Sequence, residues 1–352
     1  MSKGNVPAPV HIVEVGGKGG VFQHSLAVAL CLVDAGVRVT LHTASDAELS
    51  HPRLKICPCF DWMRDAKRLR GPRIAGLYLV KTLPHINRLE GQVWLQGLFK
   101  IPLTLLSILL LRNRKDGIVF SPHTLFARHG GRFQQRLLDT CLRLAKRIVV
   151  YNSDDYERLS HLGQKVRLAP LLMHTPSVER DKLNYWKARI PNDKPVVCSV
   201  GQIRGDKNLD MLVEAAAAAG VHLVIMGPDT GALASVQNKI LSYSHEVASV
   251  FEGYWPLEDM AAVVAVSGAV ALPYSVASQS AVAVLGRAYG ATVFAYNVGG
   301  LAEQADVVIP DLSASSWAKE LRNSIQLCHR EPDGTPEPPK DAESQQLLEA
   351  LR

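Results

Sequence analysis

A long hydrophobic run is missing from this 352-residue chain. Its most apolar segment, IPLTLLSILLL at 101–111, has eleven residues, against about 20 for a helix that spans a bilayer. The opening residues, MSKGNVPAPV, lack the apolar segment of a secretion signal. Cysteine is scarce: Cys31, Cys57, Cys59, Cys141, Cys198 and Cys328 are too scattered for a disulfide scaffold. Cys57 and Cys59 form CxC rather than the CxxC of a zinc ligand set, and no second pair follows, so no metal centre is expected. No GK[ST] phosphate loop occurs, and the glycine-rich GGKGG at 16–20 places Phe22 where a dinucleotide fingerprint needs its last glycine. These absences suggest a reducing, cytoplasmic setting.

What is present is enough for two domains. Hydrophobic residues make up 47% and charged residues 20%, which excludes global disorder. The charge is divided unevenly. Residues 1–170 carry 25 Lys and Arg against 12 Asp and Glu, a net of +13, whereas the remainder carries 14 against 21, a net of −7. A basic half suits an anionic partner such as a membrane surface, a phosphorylated acceptor or nucleic acid, or it is the surface charge of one of two unlike domains.

Apolar strand-like runs alternate with helical patterns. Residues 10–15, the helical pattern 21–35 and the run 37–43 spell βαβ, and 118–120, 132–146 and 147–151 continue it. After the proline-bearing stretch 169–194 the alternation restarts, with strands at 195–200, 221–226, 247–251, 268–272, 292–296 and 307–309. Helices are expected between them, at 208–219, 233–243, 257–265, 280–289, 301–304 and 315–327. Continuous apolar strands alternating with helices predict parallel sheets covered on both faces. The expected class is α/β: two Rossmann-like domains, 1–170 and 171–330, whose sheets face a central cleft. Residues 331–352 form a tail whose EPDGTPEPPKD cannot be helix. The helical AESQQLLEALR after it either stays free or packs back on the first domain.

The apolar segment 101–111 follows Trp94, Leu95, Leu98 and Phe99 and is flanked by Lys100, Arg112, Arg114 and Lys115. Upstream, Arg64, Lys67, Arg68, Arg70 and Arg73 cluster within ten residues. Basic residues beside an apolar, aromatic stretch suit attachment to anionic lipid; a core helix beside a solvated basic face accounts for the same pattern.

Four loops concentrate residues able to do chemistry. Gly16, Gly17, Gly19 and Gly20 lie between the first strand and first helix, where glycines admit a ligand and a helix start offers amides to an anion. In GQIRGDKN, Gly201 follows a strand, and Arg204 and Lys207 are spaced to reach one anion over the next helix start. In PYSVASQS, Ser278, Gln279 and Ser280 precede a helix that Ser278 is placed to cap. In VGGLAE, Gly299 and Gly300 allow close approach, and Glu303 either accepts hydrogen bonds from sugar hydroxyls or sits as a carboxylate on a helix start. Tyr254, after the 247–251 run, is a further binding candidate. The last three loops share one edge of the second sheet. A basic pair, two helix starts and a carboxylate there describe a pocket for a nucleoside diphosphate bearing a polyol.

GGKGG, GQIRGDKN and PYSVASQSAVAVLGRAYGATVFAYNVGGLAE, in that order, resemble GT-B glycosyltransferases of the family 4 type over most of 10–325. The resemblance implies an acceptor-binding first domain and a second domain that binds a nucleotide-sugar, UDP- or GDP-linked, as co-substrate without a separate cofactor or metal. It implies that Arg204 and Lys207 hold the donor diphosphate, that the 16–20 loop lies near the transferred sugar, and that His123, in SPHTLFARH, matches a histidine beside that sugar. It further implies retention at the anomeric carbon without a protein nucleophile, and peripheral attachment to the inner face of the cell membrane with a glycan or lipid-linked acceptor. The family's usual pair of glutamates falls here on Ala277 and Leu285, so the likeness is to a variant with an SQS loop, which leaves the donor sugar open. Two other classes compete: a non-catalytic nucleotide-sugar-binding partner, and a nicotinamide oxidoreductase using GGKGG with Asp46 as its ribose acid. Nucleic acid is not an expected partner, since no base-reading motif accompanies the basic half.

Overall fold

The computed structural model describes residues 8–68, 71–97, 99–113, 117–126, 131–191, 193–243, 246–324, 334–338 and 341–351. Two compact units divide it: 1–174 together with 340–352, and 175–339. Each is a parallel sheet flanked by helices.

The first sheet comprises β1 (Val10–Val13), β2 (Val39–Ala44), β3 (Lys55–Phe60), β4 (Gln92–Gln96), β5 (Ile118–Ser121), β6 (Arg147–Val150) and β7 (Val166–Leu168). Its order is β3-β2-β1-β4-β5-β6-β7, parallel throughout. Successive residues feed opposite faces. Val93 and Leu95, Ile118 and Phe120, and Ile148 and Val150 enter one core, while Trp94, Val119 and Val149 enter the other. Both faces being covered is why these strands read as unbroken apolar runs.

Three of these strands were not expected from the sequence. β3 is an edge strand that carries Pro58 and is half exposed, a place where proline costs no ladder bond. β4 merges in sequence with the apolar stretch after it, and β7 has three residues only. The segment Ile101–Leu111 is a helix whose Leu103, Ile108 and Leu111 enter the core, with Leu110 54% exposed. It is therefore a core helix with an outward leucine edge. Arg70, Leu98, Arg114 and Lys115, which belong to the basic and apolar stretches singled out above, lie outside the described residues. Among the described residues no helix is long and apolar enough to cross a membrane.

The second sheet comprises β8 (Val196–Val200), β9 (His222–Gly227), β10 (Ala248–Glu252), β11 (Ala269–Leu272), β12 (Thr292–Tyr296) and β13 (Val307–Ile309). The order β10-β9-β8-β11-β12-β13 is again parallel. Val197, Leu223, Ile225, Ala271 and Phe294 pack with Leu212 and Val213 of the helix Leu209–Ala219 and with Trp317 of the helix Ala314–Ser324. Of the helix expected at 315–327, residues 325–327 lie outside the described residues.

The chain's final helix, Asp341–Leu351, belongs to the first unit, and its Leu347 and Ala350 join the core formed by Val10, Ile12 and the helix Gly19–Asp34. Leu347 is fully buried. Truncating it removes packing and leaves a cavity, so Leu347→Ala is expected to lower the unfolding free energy by about 2–5 kcal/mol, measured by urea denaturation of the full chain.

Candidate functional site

In both sheets the strand order reverses beside the first strand of the unit, between β1 and β4 and between β8 and β11. Ligands of open α/β sheets bind in the crevice outside the carboxyl ends of strands at such a reversal. The loops singled out in the sequence leave these strand ends.

In the second unit, Gly201 follows β8 with φ +98°, and its amide donates to the Met226 carbonyl at 2.8 Å. Gly227, closing β9 at φ +151°, lies so near the Gly201 carbonyl that any Cβ there would collide with it. Arg204 and Lys207 do not act as an interchangeable pair. The Arg204 guanidinium is held by the Asp206 carboxylate through Nε and, at 2.7 Å, through Nη2. Lys207, by contrast, is only 7% exposed. Its ammonium donates to the Val200 carbonyl at 3.3 Å and lies 4.8 Å from the centroid of the Tyr274 ring. Among the described residues no carboxylate pairs with it, and the Tyr274 hydroxyl beneath it is buried without a hydrogen-bond partner. A buried ammonium normally has a counter-charge.

The neighbouring loops are tied to this one. Asn208, in the left-handed region at φ +47°, donates from its side chain to the Pro273 carbonyl at 2.7 Å. The Ser275 amide donates to the Asp206 carbonyl at 2.8 Å. The helix Ala281–Ala288 is capped by Ser280, not by Ser278 as the sequence suggested: Ser280 is extended, and its Oγ accepts the Val282 amide at 3.2 Å. Gln304, which the sequence did not single out, grips Ser280 from the other side. Its Oε1 accepts the Ser280 amide at 2.7 Å, and its Nε2 donates to the Ser280 carbonyl at 3.3 Å. Gly299, at φ +50°, lies against the Ala277 carbonyl, and the Gly300 amide donates to the Ser278 carbonyl at 2.8 Å. Ser278 and Gln279 stay partly open beside them, and Glu303 is exposed on the first turn of the helix Leu301–Gln304. Tyr254, 61% exposed, follows β10. All of the second-unit candidates thus leave the carboxyl ends of β8, β10, β11 and β12.

The glycine loop of the first unit departs from expectation. Three of its amides, those of Gly16, Gly17 and Gly19, are not open to an anion, because carboxylates of the chain already hold them. Glu14, which the sequence reading passed over, is buried and accepts the Gly16 amide at 2.8 Å and the Gly17 amide at 2.7 Å. Burial pushes its carboxyl above the usual range, opposed by those amides. Glu48 accepts the Gly19 amide at 3.0 Å. Lys18 pairs with Asp46 at 2.6 Å, so the acid considered for a ribose is engaged with a lysine. Gly20 opens the second residue of the helix Gly19–Asp34.

His123 sits after β5 with its backbone in the left-handed region at φ +58°. Its Nε2 donates to Gln96 Oε1 at 2.8 Å, and its ring stacks on Tyr151 at 5.0 Å and meets His24 edge-on at 5.1 Å. Tyr151 donates to Ser121 at 2.9 Å, and Trp94 donates to the same hydroxyl at 2.8 Å. Burial holds the His123 imidazole well below its usual pKa, with His24 adding to the effect. Residues 127–129 of the motif lie outside the described residues. Against the expectation drawn from CxC, the structure also brings Cys57 and Cys59 together with His42 and His85 as a group able to hold a metal ion.

Residues 181–310 match the family model described as Glycosyl transferases group 1. Among solved structures, the chain is similar to sucrose-phosphate synthase from Thermosynechococcus elongatus, at 14% identity and a TM-score of 0.72 over 98% of this chain and 95% of that one. It is similar to Anabaena HepE in complex with UDP and glucose, at 12% identity and TM-score 0.65 over 98% and 94%. It is similar to the catalytic domain of starch synthase IV from Arabidopsis thaliana bound to ADP and acarbose, at 9% identity and TM-score 0.70 over 98% and 95%. No curated protein sequence matches the chain at a significant level. The fold is GT-B. The part of the second unit that matches the glycosyl transferases group 1 model contains Arg204, Lys207, the SQS loop and the Gly299–Gly300 pair.

The buried imidazoles make stability depend on pH. Burial lowers the pKa of His24 to about 4, against the gain from its bond to the Leu172 carbonyl. As pH falls from about 6.5 to about 4 the unfolded chain takes up a proton at this site that the folded chain refuses. The stability His24 contributes is therefore present above about pH 6.5 and lost on acidification, by on the order of 3 kcal/mol. His24→Gln, which can keep a donor to Leu172, is expected to flatten that part of the slope in urea unfolding measured between pH 4 and 7.

Proposed function

We propose that this chain is a glycosyltransferase that moves a sugar from a nucleotide-sugar donor to a lipid-linked or polysaccharide-precursor acceptor. The observation that carries this reading is the buried Lys207 ammonium at the end of β8, without a carboxylate partner among the described residues, inside the segment that matches the glycosyl transferases group 1 model. The bond that breaks joins the anomeric carbon to the nucleoside diphosphate, and negative charge grows on the departing phosphate. A fixed cation in a water-poor site stabilises that charge without reorganising. Arg204, held in place by Asp206, supplies a second positive group, and Ser278, Gln279 and the amides around Gly299 and Gly300 supply donors for phosphate or sugar oxygens. Glu303 and Tyr254 are exposed beside the same strand ends, where a ribose or base would lie. His123 is assigned to the donor sugar by its likeness to the family motif. Held neutral by burial, it offers Nδ1 as an acceptor, since Nε2 donates to Gln96.

The reading includes retention of anomeric configuration, and attachment to the inner face of the membrane through the basic residues of 1–170, whose net charge is +13. Two neighbours in structure were solved with UDP and glucose and with ADP and acarbose, which supports a nucleotide-linked donor without choosing its base. A specific observation favours one competing reading: Ala277 and Leu285 stand where family members carry glutamates, so the chain is alternatively a partner that binds nucleotide-sugars without turnover.

Thermal shift against UDP-, GDP-, ADP- and dTDP-sugars tests binding, because a ligand of the native state raises Tm. One series is expected to stabilise the chain, and transfer from that donor is expected to fall about 10²–10³-fold in Lys207→Ala with the far-UV spectrum unchanged. Stabilisation with neither transfer nor donor hydrolysis would select the non-catalytic reading, and no response to any nucleotide-sugar would reject both.

A further inference from the structure

The β3 edge of the first sheet holds a group of side chains with no part in the chemistry proposed above. We propose that His42, Cys57, Cys59 and His85 ligate a structural Zn²⁺ ion that ties β2 and β3 to the helix Leu83–Asn87. One ligand atom from each of the four residues lies within 4.8 Å of the others. Tetrahedral zinc with Zn–N of about 2.05 Å and Zn–S of about 2.3 Å needs ligand separations of about 3.3 Å between nitrogens and about 3.8 Å between sulfurs. The four atoms are already gathered on that scale. One pair, His85 Nε2 and His42 Nδ1 at 2.9 Å, has only to open by a few tenths of an ångström.

The backbone explains how CxC delivers two ligands. His42 is registered opposite Cys57 in the parallel pair β2–β3, and Thr43 opposite Pro58, but Ala44 lies opposite Phe60. Cys59 is therefore the unmatched residue of a bulge. Residues two apart in a strand share one face, and the bulge leaves Cys59 on the face of Cys57 and His42, so spacing in the sequence alone does not exclude this pair. His85 arrives from a helix more than forty residues away in the chain.

The second shell is already built. His11 donates from Nε2 to the Glu90 carbonyl at 2.9 Å, a partner that can only accept. Its Nδ1 must then accept, and it lies 3.0 Å from His42 Nε2. His42 is thereby fixed as the Nε2–H tautomer with its Nδ1 lone pair turned toward His85. A metal-bound histidine commonly donates its other nitrogen to a second-shell acceptor that sets tautomer and orientation. On binding, two thiol protons leave to solvent and the His85 proton moves to its Nδ1, giving a neutral centre of two thiolates, two imidazoles and Zn²⁺. An entry route exists: Cys59 and His85 line a surface pocket of about 510 Å³, together with Asp61, Lys81 and Arg88. Two sulfurs and two nitrogens in a tetrahedral set favour zinc over the oxygen-seeking cations.

The test uses the full chain, stripped with a chelator under reducing conditions and titrated with Zn²⁺ against a chromophoric chelator. Co²⁺ then serves as a spectroscopic substitute. The expected result is stoichiometric binding, a thiolate-to-cobalt charge-transfer band with tetrahedral d–d absorption, and a rise in Tm on adding Zn²⁺. Cys57→Ser/Cys59→Ser is expected to abolish the charge-transfer band and weaken binding at least a hundredfold, and His85→Gln to weaken it tenfold or more. Cys31→Ser, whose cysteine lies outside the group, is expected to bind like the parent. Far-UV spectra establish that each variant is folded. No Zn²⁺ binding by the folded parent, or binding and a charge-transfer band undiminished in the double cysteine variant, would overturn the proposal.

Discussion

Parallel pairing throughout both sheets is the constraint from which the rest of this molecule follows. A parallel strand cannot turn directly into its neighbour; it must be left through a crossover, usually a helix, so the carboxyl ends of a sheet's strands lie at one edge. Each unit therefore collects its irregular backbone, its glycines and its helix starts at that edge. The point where strand order reverses leaves room for a ligand. In the second unit the loops leaving β8, β11 and β12 are stitched to one another by Asn208, Ser275, Ser280, Gln304 and Gly300, through backbone carbonyls and amides. That stitching holds Lys207 and the serine loop beside one another, although they are separated by some seventy residues in the chain.

The same residue types serve different ends in the two units. Gly299 and Gly300 admit the backbone of the serine loop, which brings two strand ends into contact. The glycines at 16–19 wrap instead around acidic side chains, so an apparent anion cradle holds Glu14 and Glu48. The basic pair divides in a similar way. Arg204 has a carboxylate two residues away that fixes its guanidinium. Lys207 is buried against a carbonyl and an aromatic face, with no carboxylate beside it among the described residues.

The α/β class and most of the strands were legible because buried parallel strands announce themselves as short apolar runs with helices between them. Edge strands obey weaker rules. β3 tolerates Pro58 and exposure, and β7 is too short to show a period. The loops that carry the candidate site were legible as well, since glycine, serine and basic residues after an apolar run have few structural reasons to be there. Which of those groups are engaged was not. Ser280 rather than Ser278 caps its helix because it stands immediately before the first helical turn, a two-residue distinction that composition does not make.

What the amino-acid order by itself determined is the alternation of strand and helix, the restart of that alternation after the proline-bearing stretch, and the presence of cations and glycines at strand ends. These are local properties, written in the spacing of apolar residues and in the few conformations that Gly, Pro and Ser favour. Only the tertiary structure decided that Glu14 occupies the first glycine loop, that Lys207 is buried without a carboxylate beside it among the described residues, and that Cys57 and Cys59 meet His42 and His85. The last two depend on distances between segments far apart in the chain, which are set by sheet register and packing and leave no periodic trace in the sequence; the first is a contact across two and three residues that the burial of Glu14 decides.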